Sequence, residues 1–315
     1  MKEIGGYFGL EDFPHNEYYS DLIAVNSARN ALLYILKARE IRKLFIPSYL
    51  CDSISELCER EGYSYEYYSI SENFQPEFNQ QLQAGEYLYI VNYFGQISNE
   101  QVIWWKKRYK NVIIDNVQAF YQKPVEGVDT LYSCRKFFGV PDGGYVATEA
   151  RLTEDISMDV SMERMKHILG RYEGEASLYY EDFAQNDERF YAIPLRKMSR
   201  LTHNILGAVD YEGVRRRREE NYIFLHNHLK FKNPLKINVP VGPYAYPFFC
   251  QNGMQVKKSL AEKKIYIATL WPNAIQYGGI AQEYSENILP LPVDQRYSLE
   301  DMNCILEELW KCMRN

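Results

Sequence analysis

From Asp21 to Asn116 the chain repeats one alternation, a short apolar run followed by a stretch of helical periodicity. The apolar runs are Asp21–Ser27 (DLIAVNS), Leu44–Ser48 (LFIPS), Glu86–Tyr93 (EYLYIVNY) and Asn111–Asn116 (NVIIDN), and the tyrosine-alternating YSYEYYSI reads as a further strand. Between them, Ala28, Ala31, Leu32 and Ile35 recur at i, i+3, i+4 and i+7, with Asn26 or Ser27 available as the cap of that helix. CDSISELCEREG reads as a helix closed by Gly62, and SNEQVIWWKKRY as one capped by Ser98 or Asn99. Strands alternating with helices of this length demand a mostly parallel sheet with right-handed crossovers. Ligands of such sheets sit outside the carboxyl ends of the strands. Ser27, Ser48, Asn92, Asp115 and Ser133 fall at those ends.

The alternation stops after about Arg151. As far as Leu206 the pattern is helical and polar, with Met162, Met165, Ile168 and Leu169 predicted to share one face. YEGVRRRREENYIFLHNHLK predicts a long helix. Short strands follow (YAYPFFCQ, IYIATLW, NILPLPV), with the helix MQVKKSLAEKK among them. A last helix starts at Ser298, where Asp301 is placed for a capping box. At 315 residues the chain exceeds the size at which single cores usually stop growing. The expected fold class is therefore α/β: a large domain, residues 1–206, with a mostly parallel mixed sheet sandwiched by helices, and a small C-terminal α+β domain, residues 207–315. The first twenty residues are expected to form an irregular arm.

Composition excludes several function classes. A formal net charge of −6 argues against a nucleic-acid binder. There is no long uncharged apolar run for a membrane span, and the opening MKEIGGYFGLEDF is too polar for a signal peptide, so a cytoplasmic location is expected. The six cysteines form no CxxC pair and read as buried thiols. His226 and His228 are two apart and do not share a helix face, so no metal site is expected. Arg215–Arg218 reads as a solvated or salt-bridged face. Trp104 and Trp105 read as core and edge of one helix.

Three features at the sheet's carboxyl edge carry chemistry. NSARNAL puts a helix N-terminus after a strand, where free amides and the dipole favour an anion and Arg29 adds a cation. In IIDNVQAF, Asp115 ends an apolar strand and must find a donor or cation, whether in a ligand or as a cap for the next segment. In LYSCRKFFGVPDGGYVA, Ser133 ends a strand, Lys136 follows three residues later, and a Gly-Gly pair opens the next strand. Lys136 is either a solvated loop lysine or a buried reactive amine, deprotonated by burial or by neighbouring positive charge such as Arg135. Asp142 either reaches the site or shapes the turn before Gly143. Pyridoxal phosphate accounts for all three features. It needs an anion site, a carboxylate facing its pyridine nitrogen and a Schiff-base lysine.

The order Asp115-x-x-Gln118, Ser133-x-x-Lys136, Pro-Asp-Gly-Gly resembles fold-type-I pyridoxal-phosphate enzymes. It is most similar to the DegT/StrS-type sugar aminotransferases. NSARNAL looks like that family's phosphate turn, FIPSYLCDS like the strand and loop after it, and VNYFGQ like its histidine- or asparagine-bearing strand. RRRREENYIFL and NILPLPVDQRYSLEDMNCILEEL look like its small-domain helix and C-terminal segment. The resemblance implies an aspartate-aminotransferase-like fold, Lys136 as anchor and acid/base, and Asp115 on the pyridine nitrogen. It implies Gln118 near the ring hydroxyl or the ring face, and Ser133, Ser27 and the amides of Ala28 and Arg29 on the phosphate. Tyr49, Cys51 and Asn92 would complete the cofactor pocket. The chain departs from the family in having Ala28-Arg29 for Gly-Thr, and Cys51 for the ring-stacking aromatic, a contact Tyr49 or Tyr93 would take over. Arg196 or Lys197 would replace the partner subunit's asparagine.

The expected function is a homodimeric aminotransferase with an active site shared between subunits. It would take an amino-acid donor such as glutamate and a keto-sugar or related carbonyl. Dehydration or elimination on the same cofactor, or a non-catalytic ligand-binding descendant, are the alternatives. A nucleotide-binding protein is disfavoured because no GxGxxG or P-loop opens the first helix.

Overall fold

The computed structural model describes residues 4–314; Met1–Glu3, the start of the expected arm, and Asn315 lie outside the described residues. An eight-stranded sheet forms from β1 (Ile23–Val25), β2 (Lys43–Pro47), β3 (Ser64–Ile70), β4 (Pro76–Glu77), β5 (Glu86–Val91), β6 (Val112–Asp115), β7 (Asp129–Ser133) and β8 (Gly144–Ala147). Its order is β1-β8-β7-β6-β5-β2-β3-β4. The β3–β2–β5–β6–β7 pairings are parallel, and β8 runs antiparallel to both β7 and β1. Reversal of β8 alone returns β1 to the common direction. The ends of β1, β2, β5, β6 and β7 and the start of β8 therefore share one edge.

Helices α1 (Ala28–Ala38), α2 (Ser53–Glu61) and α3 (Asn99–Tyr109) make the crossovers. Ser27 caps α1 by accepting from the Asn30 N–H at 3.1 Å, and Ser98 with Gln101 closes a capping box on α3. Gly62 ends α2 in the left-handed region at φ 78°. The second half of β5 and the run of β6 before the aspartate are mostly apolar, as a sheet covered on both faces requires. Leu88, Ile90, Val91 and Val112–Ile114 all lie in the large core.

Helices α4 (Lys166–Glu173), α5 (Tyr180–Arg189), α6 (Arg200–Leu206) and α7 (Tyr211–Leu229) follow. Then come β9 (Ala245–Phe249), α8 (Gly253–Glu262), α9 (Gly279–Asn287), β10 (Ile288–Pro292) and α10 (Leu299–Arg314). β9 and β10 pair antiparallel as a second, two-stranded sheet. A second core of Tyr222, Leu225, Phe248, Leu260, Leu291, Leu306 and others lies under it. The capping box at Ser298 and Asp301 is present.

Five expectations need correction. IYIATLW is not a strand: Ile265 and Ile267 pack against the second core while Leu270 and Trp271 bury in the large one, so the segment joins two cores instead of pairing. Met162, Met165, Ile168 and Leu169 do not share one helix face: Met162 lies in a separate short turn before α4, and both it and Leu169 are exposed. The six cysteines are all free, but Cys304 is exposed, and only Cys58, Cys134 and Cys250 are buried. Of the four arginines, Arg215, Arg216 and Arg217 make exposed ion pairs with Glu212 and Glu220, whereas Arg218 is buried. Trp104 is exposed and Trp105 buried, the reverse of the order read from the sequence. The arm is irregular from residue 4 to Asp21. Asn204 holds it by accepting the Phe13 N–H and donating to the Glu11 carbonyl.

Arg218 ties the second sheet to the loop after β7. Its Nε donates to Gln295 at 2.9 Å, one Nη to the Pro243 carbonyl at 2.9 Å and the other to the Phe137 carbonyl at 3.2 Å. Gln295 also donates to the Phe137 carbonyl, at 2.8 Å. Arg218→Ala leaves these buried acceptors short of donors, so we expect a stability loss of about 3 kcal/mol or more, read as a fall in the urea midpoint. Arg216→Ala, two residues away and exposed, should change the midpoint by less than about 0.5 kcal/mol.

Candidate active site

β6 and β7 deliver an acid and a lysine loop to the same edge. Asp115 is buried at the end of β6. Its Oδ2 accepts from the Tyr89 hydroxyl at 2.5 Å, and its Oδ1 from the Val117 N–H at 2.8 Å. Burial pushes the carboxyl up to about 6, against the hydrogen bonds from Tyr89 and Val117 and the attraction of Lys136.

Lys136 sits in a turn closed by the Phe137 and Phe138 amides, both donating to the Cys134 carbonyl. Its Nζ lies 5.4 Å from the centre of the Tyr244 ring. Burial alone would lower the ammonium, but Tyr244, Cys51, Asp115 and Asp187 outweigh it and hold Lys136 above its ordinary value. The expected depression by Arg135 is absent. That guanidinium turns away to Asp187, at 3.1 Å, and stacks on Phe190. Lys136 is thus neither a solvated loop lysine nor a free amine; it is a half-buried cation close to a buried acid.

The third feature lies on the same edge. Ser27 and the first amides of α1 face the start of β8, where Gly144 is required: a Cβ there would stand 2.8 Å from the Ser27 carbonyl carbon and 2.9 Å from the Ala28 nitrogen. The amides of Ala28 and Arg29 have no acceptor within their own helix. The Arg29 guanidinium lies over the Tyr191 ring at 4.4 Å, and its Nε and Nη1 are buried without a hydrogen-bond partner among the described residues. Ser133, at the end of β7, pairs in register with Gly144.

Of the other predicted residues, the structure brings Cys51 to Lys136; burial raises its thiol, and Ser53 and the Lys136 charge partly offset this. Gln118 is buried, accepts the Phe94 N–H at 2.8 Å, and keeps an Nε2 with no partner among the described residues. Two of the predicted residues are engaged by other parts of the chain. Asn92 is taken up by loop bracing, donating to Ile97, Asn116 and Gln122 and accepting from the Ile97 N–H. Tyr49 stacks on Tyr93 at 5.4 Å and meets Trp271 edge-on at 4.9 Å inside the large core. Asp142 shapes the approach to α6, accepting from the Ser199 N–H and from the Ser199 and Thr202 hydroxyls. Arg196 and Lys197 pair within the chain with Asp159 and Asp155.

Tyr89 and Tyr244 are the neighbours that sequence reasoning missed. A tyrosine inside an otherwise apolar strand needs a partner for its hydroxyl, which is a legible signal for Tyr89. Tyr244 comes from a segment more than a hundred residues from Lys136 and carries no local signal. On the loop side of Lys136 a cavity of about 640 Å³ opens, lined by Arg135, His167, Tyr172, Arg218 and Arg296 among others. Among the described residues no cluster suited to a metal occurs, and no helix is long and apolar enough to cross a membrane.

No protein-family model matches the chain, and no curated protein matches it in sequence. Solved structures do match. A DegT/DnrJ/EryC1/StrS aminotransferase from Brucella abortus superposes with a TM-score of 0.64 at 16% identity, over 93% of this chain and 86% of its own. A putative sugar aminotransferase from Streptococcus pneumoniae, in its PMP form, gives 0.67 at 14% identity, over 93% and 87%. Helicobacter pylori PseC, an aminotransferase of pseudoaminic acid biosynthesis, gives 0.64 at 15%, over 92% and 86%. The chain has the fold of these sugar aminotransferases, the mostly parallel mixed sheet and small antiparallel sheet of the aspartate-aminotransferase-like class.

Proposed function

We propose that the chain is a pyridoxal-phosphate-dependent aminotransferase that moves an amino group from an amino acid to a keto-sugar or similar carbonyl. The observation that carries this is the convergence of Lys136, Asp115 and the Ser27–Arg29 turn on one sheet edge. The structural likeness supports it, since the Streptococcus pneumoniae protein is described in both PMP and PLP forms.

The residues present fit the cofactor. The unpartnered Nε and Nη1 of Arg29, with the first amides of α1, supply buried donors for a phosphate. Gln118 Nε2 is a further unpartnered donor. Asp115 supplies a buried carboxylate on the same edge, as a pyridinium requires. When bound, the cofactor contributes a carbonyl that condenses with amines and a ring that takes up electron density. Lys136 holds it and then carries a proton to and from the substrate carbon. Asp115 keeps the ring nitrogen protonated. Ser133 and Ser27 complete the phosphate site, and Cys51 lies beside the lysine in place of an aromatic ring. In this reading residues 1–206 bind the cofactor, residues 207–315 close over it, and two chains pair in the cytoplasm.

Purified protein given pyridoxal phosphate should develop a visible absorbance band. Borohydride should then fix the cofactor on the tryptic peptide that contains Lys136, as read by mass spectrometry. Addition of glutamate should bleach the unreduced band and release 2-oxoglutarate. A protein that stays colourless and unlabelled would overturn the reading.

A further inference from the structure

We infer that Tyr89 is a positioning residue for Asp115: its hydroxyl, fixed inside the sheet, holds one carboxylate oxygen and leaves the rest of the group to the ligand. The role in catalysis rests on the function proposed above; the hydrogen bond does not. β5 and β6 are parallel neighbours, with Val91 opposite Asp115, so Tyr89 reaches the acid from two residues before the strand's end. The bond is 2.5 Å long between two groups that are 0% and 3% exposed. Tyr89 can only donate here. Burial and the adjacent carboxylate hold its phenol far above the physiological range, so it stays protonated at any working pH.

The groups facing Asp115 are few. Tyr89 comes from β5, Tyr93 from just beyond it, the Val117 N–H from the turn after β6, and Lys136 from the loop after β7. Among these Lys136 is the only cation, and its nitrogen is the atom committed to holding the cofactor. Tyr89 and Val117 are then the fixed donors that keep the carboxylate ionised and oriented through the reaction. Each carboxylate oxygen has a second lone pair, so these two bonds leave capacity for a third partner. Burial pushes the carboxyl up to about 6, and the Tyr89 bond is the largest opposing influence.

Tyr89→Phe removes the hydroxyl and little else. In cofactor-free protein carrying 13C-labelled aspartate, the Asp115 carboxyl should titrate about one pH unit higher in the variant. Tyr68→Phe, a neighbouring buried tyrosine whose hydroxyl donates instead to the Tyr89 carbonyl, should leave that titration in place. With cofactor bound, kcat/KM should fall in Tyr89→Phe and stay unchanged in Tyr68→Phe. Should Tyr89→Phe not fold, 3-fluorotyrosine at position 89, a stronger donor, should move the carboxyl down. An unchanged Asp115 titration in Tyr89→Phe, or an equal shift in Tyr68→Phe, would overturn the inference. Failure to bind pyridoxal phosphate would refute the proposed function while the cofactor-free titration still decides the role of Tyr89.

Discussion

Lys136→Ala should abolish the visible band and lower amino transfer by at least about 10³-fold, because one residue supplies both the covalent anchor and the proton carrier. Nothing nearby can replace it. Arg135 is paired with Asp187 and stacked on Phe190, and an arginine does not give up its proton in this range. Cofactor should still bind, held by the Arg29 turn and Asp115, but as the free aldehyde with its own absorbance. The check is a comparison of spectra and single-turnover rates at saturating pyridoxal phosphate. Retained labelling by borohydride at another lysine would move the anchor elsewhere. Loss of the Lys136 charge also removes an attraction that lowers Asp115, so the acid should titrate above 6 in this variant.

Asp115→Asn should separate stability from function. The folded carboxyl lies at about 6 against an ordinary 3.8, with burial as the main cause. A raised folded value means that the native state binds the proton more tightly than the unfolded chain. The stability this confers is complete below about pH 4 and is lost as pH rises through 6. At pH 7.5 the wild type therefore carries a cost on the order of 2–3 kcal/mol for ionising a buried acid. Asparagine avoids that cost. The cofactor-free variant should accordingly have a higher urea midpoint than wild type at pH 7.5 and an equal one at pH 4. Exchange of the substrate α-proton should meanwhile fall by about 10²-fold or more, since a neutral amide cannot keep the ring nitrogen protonated. Equal midpoints at pH 7.5 would show that Asp115 is not held up by burial.

Much of the frame could be read from local pattern. Strand–helix alternation over Asp21–Asn116, the cap at Ser27, the box at Ser98 and the Gly62 stop are period-and-cap signals, carried by residues within a few positions of one another. The same signals put Ser27, Asp115 and Ser133 at strand ends, and parallel pairing brings strand ends together. Local pattern does not show which side chains distant segments engage. Tyr49 and Asn92 sit at the right edge, but Trp271 and Gln122 engage them, and neither partner is near in sequence. IYIATLW has a strand's alternation, yet its two ends are buried in different cores.

Arg218 makes the same point from the other side. Four consecutive arginines look alike in sequence, and one of them is buried because α7 passes over the Phe137 carbonyl and the loop at Pro243. By itself the sequence determined the sheet, its carboxyl edge, and the acid and lysine that stand there. These follow from periodicity and from the requirement that every buried polar end find a partner. Only the tertiary structure decided how that acid and lysine are tuned. The charge state of Asp115 and Lys136 depends on burial and on Tyr89, Tyr244 and Cys51, and those groups meet only when the sheet closes and the C-terminal segments pack against it.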